Sequence, residues 1–310
     1  MKDLKEICEG ILDKRNKANV GSNIEKSMIE TIKEFISDNF LCNNMYVISP
    51  KPNEDGKYVV SVACNCDTKY GVELTELTNG LFVWGKIHGD FNCSNCGLTT
   101  LKGSPKIVAG RFECSNNPLK DFEGAPKDVI SFICANCPNI TSLKGMPQDT
   151  FRACIENCPI TDLVGLPQDM EYLSIRSCSK LTSLKGCPSK IDALFNITDC
   201  PKLKSLDGCP KNGDYSLFVH GCHSIKTLKG VKKIIDGIFS CHNCKGLETL
   251  EGGPEIVTRD FKCTWCPKIK SLDGMPKKVG ENAEIRFCGK DFTEEEIENI
   301  CVVRGMILNK

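Results

Sequence analysis

From Phe91 onward, apolar and polar positions recur with a period of 20 to 22 residues. The first apolar mark of each unit falls at Leu98, Leu119, Ile140, Ile160, Leu181, Leu203, Ile225, Leu247 and Ile269. Glycine follows five residues later in every unit, from Gly103 to Gly274, and proline two residues after that in all but one, where Lys232 stands instead. A fixed period in this range predicts a solenoid, in which each unit buries its apolar face only against its neighbours. Between glycine segments lies an alternating pair such as Phe112/Cys114, Phe132/Cys134, Phe239/Cys241 or Phe261/Cys263. Alternation with period two puts both side chains on one face of a strand, so stacked units should pair in parallel about 4.8 Å apart. The next inward position is Cys96, Asn117, Cys137, Cys158, Cys178, Cys200, Cys222, Cys244, Cys266 and Cys288 in turn. The glycine supplies a positive-φ turn and the proline a fixed one. Units this short leave no room for a helix on the outer side.

The ends read differently. Asp3/Glu6 and Ser22/Glu25 mark helix starts and predict helices near 4–17 and 23–39. Residues 45–66 predict a hairpin, with Met45–Ile48 and Tyr58–Val62 as its arms. Thr293 and Glu296 form a further capping box ahead of Ile297, Ile300 and Cys301. The expected organisation is a helical region at 1–44, a hairpin and cap at 45–90, the solenoid at 91–290 and a C-terminal cap at 291–310. Residues 1–66 read either as a cap or as a separate docking module.

Composition narrows the function classes. Forty basic residues balance forty acidic ones, which argues against a nucleic-acid binder dependent on phosphate contacts. No run approaches the roughly 18 apolar residues of a membrane span, and the opening Met1–Gly10 lacks the apolar segment of a secretory signal. These features predict a cytoplasmic chain with reduced thiols. Its 22 cysteines then read as small buried hydrophobes rather than as a disulfide framework.

The run Cys137-Pro-Asn-Ile140-Thr-Ser-Leu143 and the longer string Gly89–Pro105 resemble cysteine-containing leucine-rich repeats, most closely those encoded by bacteriophages and related bacterial genomes. The resemblance covers about residues 81–310. It implies an α+β leucine-rich repeat solenoid of about ten short coils with a parallel concave sheet, a helical N-terminal region and a small C-terminal helix cap. It also implies a phage protein acting inside an infected bacterium.

Four Cys-x-x-Cys pairs invite a zinc reading: Cys93/Cys96, Cys134/Cys137, Cys241/Cys244 and Cys263/Cys266. The last two are spaced like a zinc ribbon. The repeat alone generates this spacing, and other units fill the same positions with Ile, Val or Asn, so the expectation is no metal and no cofactor. His220 and His242 fall in one register on adjacent units. Enzyme signatures such as a phosphate-binding glycine loop or His-Glu-x-x-His are missing.

The exposed strand positions offer a different candidate. Toward the C-terminal end they carry Arg176, Phe218, His220, His242, Lys262, Trp265, Arg286 and Phe287. Arg and aromatic residues are the usual anchors of interfaces. The expected function is therefore a non-enzymatic interaction module that holds a protein partner on its concave face, with neither nucleic acid nor membrane involved. The alternatives are a structural or virion-associated role, and an enzyme or zinc-dependent protein.

Overall fold

The computed structural model describes residues 19–43 and 45–309. The helix expected at 4–17 lies outside them. The chain winds into a β-solenoid of about eleven turns, each a parallel repeat of about 22 residues, with 31% strand and 8% helix. This corrects the leucine-rich repeat assignment and the α+β class. A leucine-rich repeat carries a helix or 3₁₀ segment on the far side of each strand; here no repeat among the described residues holds either. The expectation of a phage-encoded protein rested on that resemblance and falls with it.

Each rung has one long parallel strand, such as Asp128–Ala135, Asp149–Glu156, Asp169–Arg176 or Lys190–Thr198. In the C-terminal half the strand splits into two. Phe239–His242 and Phe261–Thr264 continue the main ladder. Ile234–Ile235, Ile256–Val257, Lys278–Val279 and Val302–Val303 build a second parallel ladder beside it. In the first of these rungs the break between Ile235 and Phe239 contains Gly237, with φ of 158°; later rungs break at the same place with Arg259 and Glu281.

Identical positions stack upon one another, so each column of the sequence becomes a column of the core. Phe91, Phe112 and Phe132 stack with ring centroids 5.8 and 5.6 Å apart, and Phe239 on Phe261 at 5.7 Å. All five rings are fully buried, and full burial of such a side chain contributes roughly 1.5–3 kcal/mol. The repeated glycine is required by both conformation and space. Gly145 has φ of 82°, and a Cβ there would lie 2.4 Å from the carbonyl carbon of Phe122 on the preceding rung.

Both ends of the stack are covered. The helix Asn19–Asn39 buries Ile32 and Ile36. Beyond it, Phe40 packs edge-on to Trp84 at 5.1 Å and against Phe91 at 6.1 Å, joining the helix to the first rungs. Strands Tyr46–Ile48 and Tyr58–Val62 pair antiparallel across the polar turn. At the other end, Thr293 and Glu296 cap each other's backbone N–H groups, and the helix Glu294–Glu298 buries Ile297. The strand Ile307–Leu308 adds a last rung to Ala283–Arg286. No helix among the described residues is long and apolar enough to cross a membrane.

Candidate metal centre

The corner that closes each strand determines where the thiols point. In the unit Phe261-Lys-Cys-Thr-Trp-Cys266, Cys263 faces inward from the strand and Thr264 ends it. Trp265 then takes a left-handed conformation, with φ of 56°. That single reversal turns the next residue back inward, so Cys263 and Cys266 are both fully buried. Ladder pairing places Cys263 beside Cys241 of the preceding rung. The three sulfurs of Cys241, Cys263 and Cys266 lie within 4.8 Å of one another.

A Zn–S bond of about 2.3 Å sets the sulfurs of a tetrahedral site about 3.8 Å apart. The observed envelope admits such an ion after a small contraction. Two further thiols adjoin the trio. Cys288 Sγ lies 3.9 Å from Cys263 Sγ, and Cys244 bears on Cys266 while its own thiol donates away from the cluster, to the carbonyl of Val219 at 3.3 Å. Soft thiolate donors select zinc, copper(I) or iron–sulfur chemistry over hard cations.

The protonation pattern suits an ion. Hydrogen bonds from Cys241, Cys244 and Cys263 converge on Cys266 and hold it well below the usual thiol range, against the cost of burial. Cys263 is pushed well above that range by its bonds to Cys241, Cys266 and Cys288 and by burial. At Cys241 the bond to Cys263 pulls downward, but the bond to Cys266 and burial leave the group raised. In the present geometry the Cys266 thiol itself donates to the carbonyls of Thr264 and Cys241, at 3.5 and 3.9 Å. A cation bound by the three sulfurs would replace their protons.

A related thiol group occurs at Cys134, Cys137 and Cys158, where bonds from Cys134 and Cys158 pull Cys137 down to about 3. Cys134 and Cys158 are 4.0 Å apart. Among the described residues, however, only Cys241, Cys263 and Cys266 converge within coordination reach.

This cluster corrects two expectations together: that the Cys-x-x-Cys pairs are filler without metal, and that the chain is a purely non-enzymatic binding module. Three buried thiols in coordinating distance are a donor set on which metal-dependent chemistry can be built. The zinc-ribbon spacing of the last two pairs is visible in the sequence, where it reads as a by-product of the repeat. Spacing alone does not show that the sulfurs of Cys241, Cys263 and Cys266 converge.

The exposed residues singled out from the sequence lie on the outer side of the same rungs. His220 and His242 are ladder neighbours, with rings 5.6 Å apart. His220 Nε2 is 2.9 Å from Ser240 Oγ, and His242 Nδ1 is 2.7 Å from Thr264 Oγ1. Burial and the neighbouring His242 lower the His220 pKa. Phe218 meets His220 edge-on at 5.6 Å. Lys262 sits between Asp260 and Glu284, at 3.8 and 3.9 Å, and Arg286 pairs with Glu284 at 3.3 Å. Trp265 and Phe287 stack at 4.5 Å and are both exposed. His220, His242, Lys262, Trp265 and Phe287 line one open cavity of about 330 Å³. Arg176 stands apart, with Thr198 between it and His220 in the ladder.

Comparison with known proteins adds no assignment: no family model, curated protein or solved structure matches the chain.

Proposed function

We propose that this protein is a metal-binding β-solenoid that takes one thiophilic ion, zinc in the first instance, on Cys241, Cys263 and Cys266. The observation that carries the reading is the convergence of three fully buried sulfurs within 4.8 Å. Cys288 and Cys244 are the available fourth donors, Cys288 by its proximity to Cys263 and Cys244 by its hydrogen bond toward Cys266. The ion would link the rungs of Phe239–His242 and Phe261–Thr264 through their side chains, adding to a ladder otherwise held by backbone bonds and packing.

The outer cavity is part of the same proposal. Its rim residues Thr264 and Trp265 lie in sequence between two of the metal ligands, so a ligand seated there contacts the metal-bearing rung. We place small-ligand contact at His220, His242, Lys262, Trp265 and Phe287, flanked by Phe218 and Arg286. Arg176 contributes only to a ligand long enough to span the rung of Thr198.

The test is metal content and affinity of the purified, reduced full chain. Zinc should be retained at one equivalent per chain in competition with a chromophoric chelator. Cys263→Ser and Cys266→Ser should lose it, while Cys200→Ser, which alters a thiol of the same column three rungs away, should keep it. Retention of no zinc by the wild type, or equal retention by all variants, rejects the site.

A further inference from the structure

A second thiol site lies at the opposite end of the molecule and is independent of the metal reading. Phe40–Leu41 pairs antiparallel with Cys66–Thr68, in the register Phe40 to Thr68 and Leu41 to Asp67. Continuing that register by one residue sets Cys42 opposite Cys66. Their sulfurs are 3.1 Å apart, the shortest sulfur–sulfur hydrogen bond among the described residues. Directly opposed residues of antiparallel strands have Cα atoms about 4.5–5.5 Å apart, inside the window of about 4.4–6.8 Å that a disulfide spans. Bond formation here needs only a small approach of the two sulfurs, without movement of either strand.

Cys42 is only 4% exposed, but it lines an open cavity of about 210 Å³ together with Phe40, Tyr46 and Lys69, which gives a small oxidant a route to it. The size suits a molecule as small as hydrogen peroxide. The Cys66 hydrogen bond lowers the Cys42 pKa, against burial and the Asp67 charge. The same bond and burial raise Cys66. The pair is thus asymmetric, with one thiol disposed to react as the thiolate and the other retaining its proton. Reactivity toward oxidants follows thiolate character and access.

We infer that Cys42 and Cys66 form a peroxide-reactive thiol pair, in which Cys42 is the attacking sulfur and Cys66 the resolving one. The Cys42 thiolate attacks one peroxide oxygen, the O–O bond breaks, and the departing hydroxide takes up a proton to become water. Cys42 is left as the sulfenic acid. The Cys66 sulfur then attacks the Cys42 sulfur, its proton leaves with the sulfenic oxygen as a second water, and the disulfide closes. Two thiols lose two electrons and hydrogen peroxide gains them. The product ties the end of helix Asn19–Asn39 to the strand Cys66–Thr68, where Thr68 accepts a hydrogen bond from Cys96 of the next rung. The N-terminal cap is thereby fastened covalently to the stack.

The experiment treats the reduced full chain with hydrogen peroxide at low molar excess and maps thiols by peptide mass spectrometry. Cys42 and Cys66 should be recovered as one cross-linked pair, with the loss of two hydrogens, before the other cysteines change. Dithiothreitol should restore them. In Cys66→Ser, a sulfenic acid should be trapped on Cys42 by dimedone; in Cys42→Ser, none should be trapped on Cys66. Hydrogen exchange in the helix should slow on oxidation of the wild type. Oxidation spread evenly over the thiols, or a wild-type map in which Cys42 and Cys66 stay reduced while others react, overturns the inference without reference to any variant. Zinc retention by the Cys42→Ser chain, measured in parallel, keeps this result separate from the metal centre.

Discussion

Trp265 stacks on Phe287 with ring centroids 4.5 Å apart, and both residues stand on left-handed backbone, with φ of 56° and 54°. Other rungs fill this corner with Asn95, Asn116, Asn136, Asn157, Ser177, Asp199, Gly221 and Asn243. Those residues tolerate positive φ. A bulky aromatic pays about 1–2 kcal/mol for it, and a stacked pair returns only about 0.5–1.5 kcal/mol. Two strained residues share one stack, so their placement is unfavourable for the fold alone. Replacing both by Asn should therefore raise the midpoint of urea unfolding, by about 1 kcal/mol in stability. A loss of stability would show the stack to be structural. The same double variant should weaken any small ligand held in the adjoining cavity.

Two positive-φ glycines, Gly97 at a corner and Gly145 of the repeated column, separate a conformational cost from a spatial one. Gly97 has φ of 73° and open space around its missing Cβ, whereas Gly145 has φ of 82° and backbone atoms of the preceding rung 2.4–2.6 Å away. Gly97→Ala should cost about 1 kcal/mol. Gly145→Ala must also displace a neighbouring rung and should exceed the cost of Gly97→Ala by about 2 kcal/mol or more. Urea denaturation of the two variants side by side checks the difference.

Asn117 is the one inward corner position of the solenoid column that is not cysteine. It is buried, accepts from the backbone N–H groups of Cys96 and Leu98, and donates to the carbonyls of Cys93 and Cys114. Asn117→Ala leaves these groups unpaired and should cost about 2–4 kcal/mol. Asn117→Cys supplies the thiol used elsewhere, which donates to the preceding rung's carbonyl as Cys137 does to Cys114 at 3.5 Å. It should be the milder change. Unfolding midpoints of both variants test the order.

Much of this architecture is legible in the sequence, because a solenoid converts period into space. The Phe and Cys columns, the positive-φ glycines and the C-terminal capping box at Thr293 can all be read from spacing. What spacing does not carry is the path of the return segment. Leu98-Thr-Thr-Leu101 suits either a leucine-rich repeat or a β-solenoid, since both bury two leucines three apart. The second ladder through Ile256–Val257 and Lys278–Val279 decides between them, and it is a backbone fact. The thiol centre is legible only in part. The period sets Cys241 and Cys263 in one column, but spacing does not give the separation of their sulfurs from Cys266.

Thiol protonation opposes metal binding. Cys263 is held above the usual thiol range by its bonds to neighbouring thiols and by burial, and Cys241 is raised as well. An ion binding these groups as thiolates displaces their protons, so affinity should rise with pH and fall as pH is lowered. Zinc competition titrations across neutral pH check the direction; an affinity independent of pH would contradict thiolate ligation.

The most direct measurement is X-ray absorption at the zinc edge of the loaded full chain, compared with Cys266→Ser. A first shell of sulfur alone, at about 2.3 Å, is expected in the wild type, with its loss or dilution by lighter atoms in the variant. A shell of nitrogen and oxygen, as His220 and His242 would supply, or a wild-type spectrum unchanged by the substitution, would contradict it.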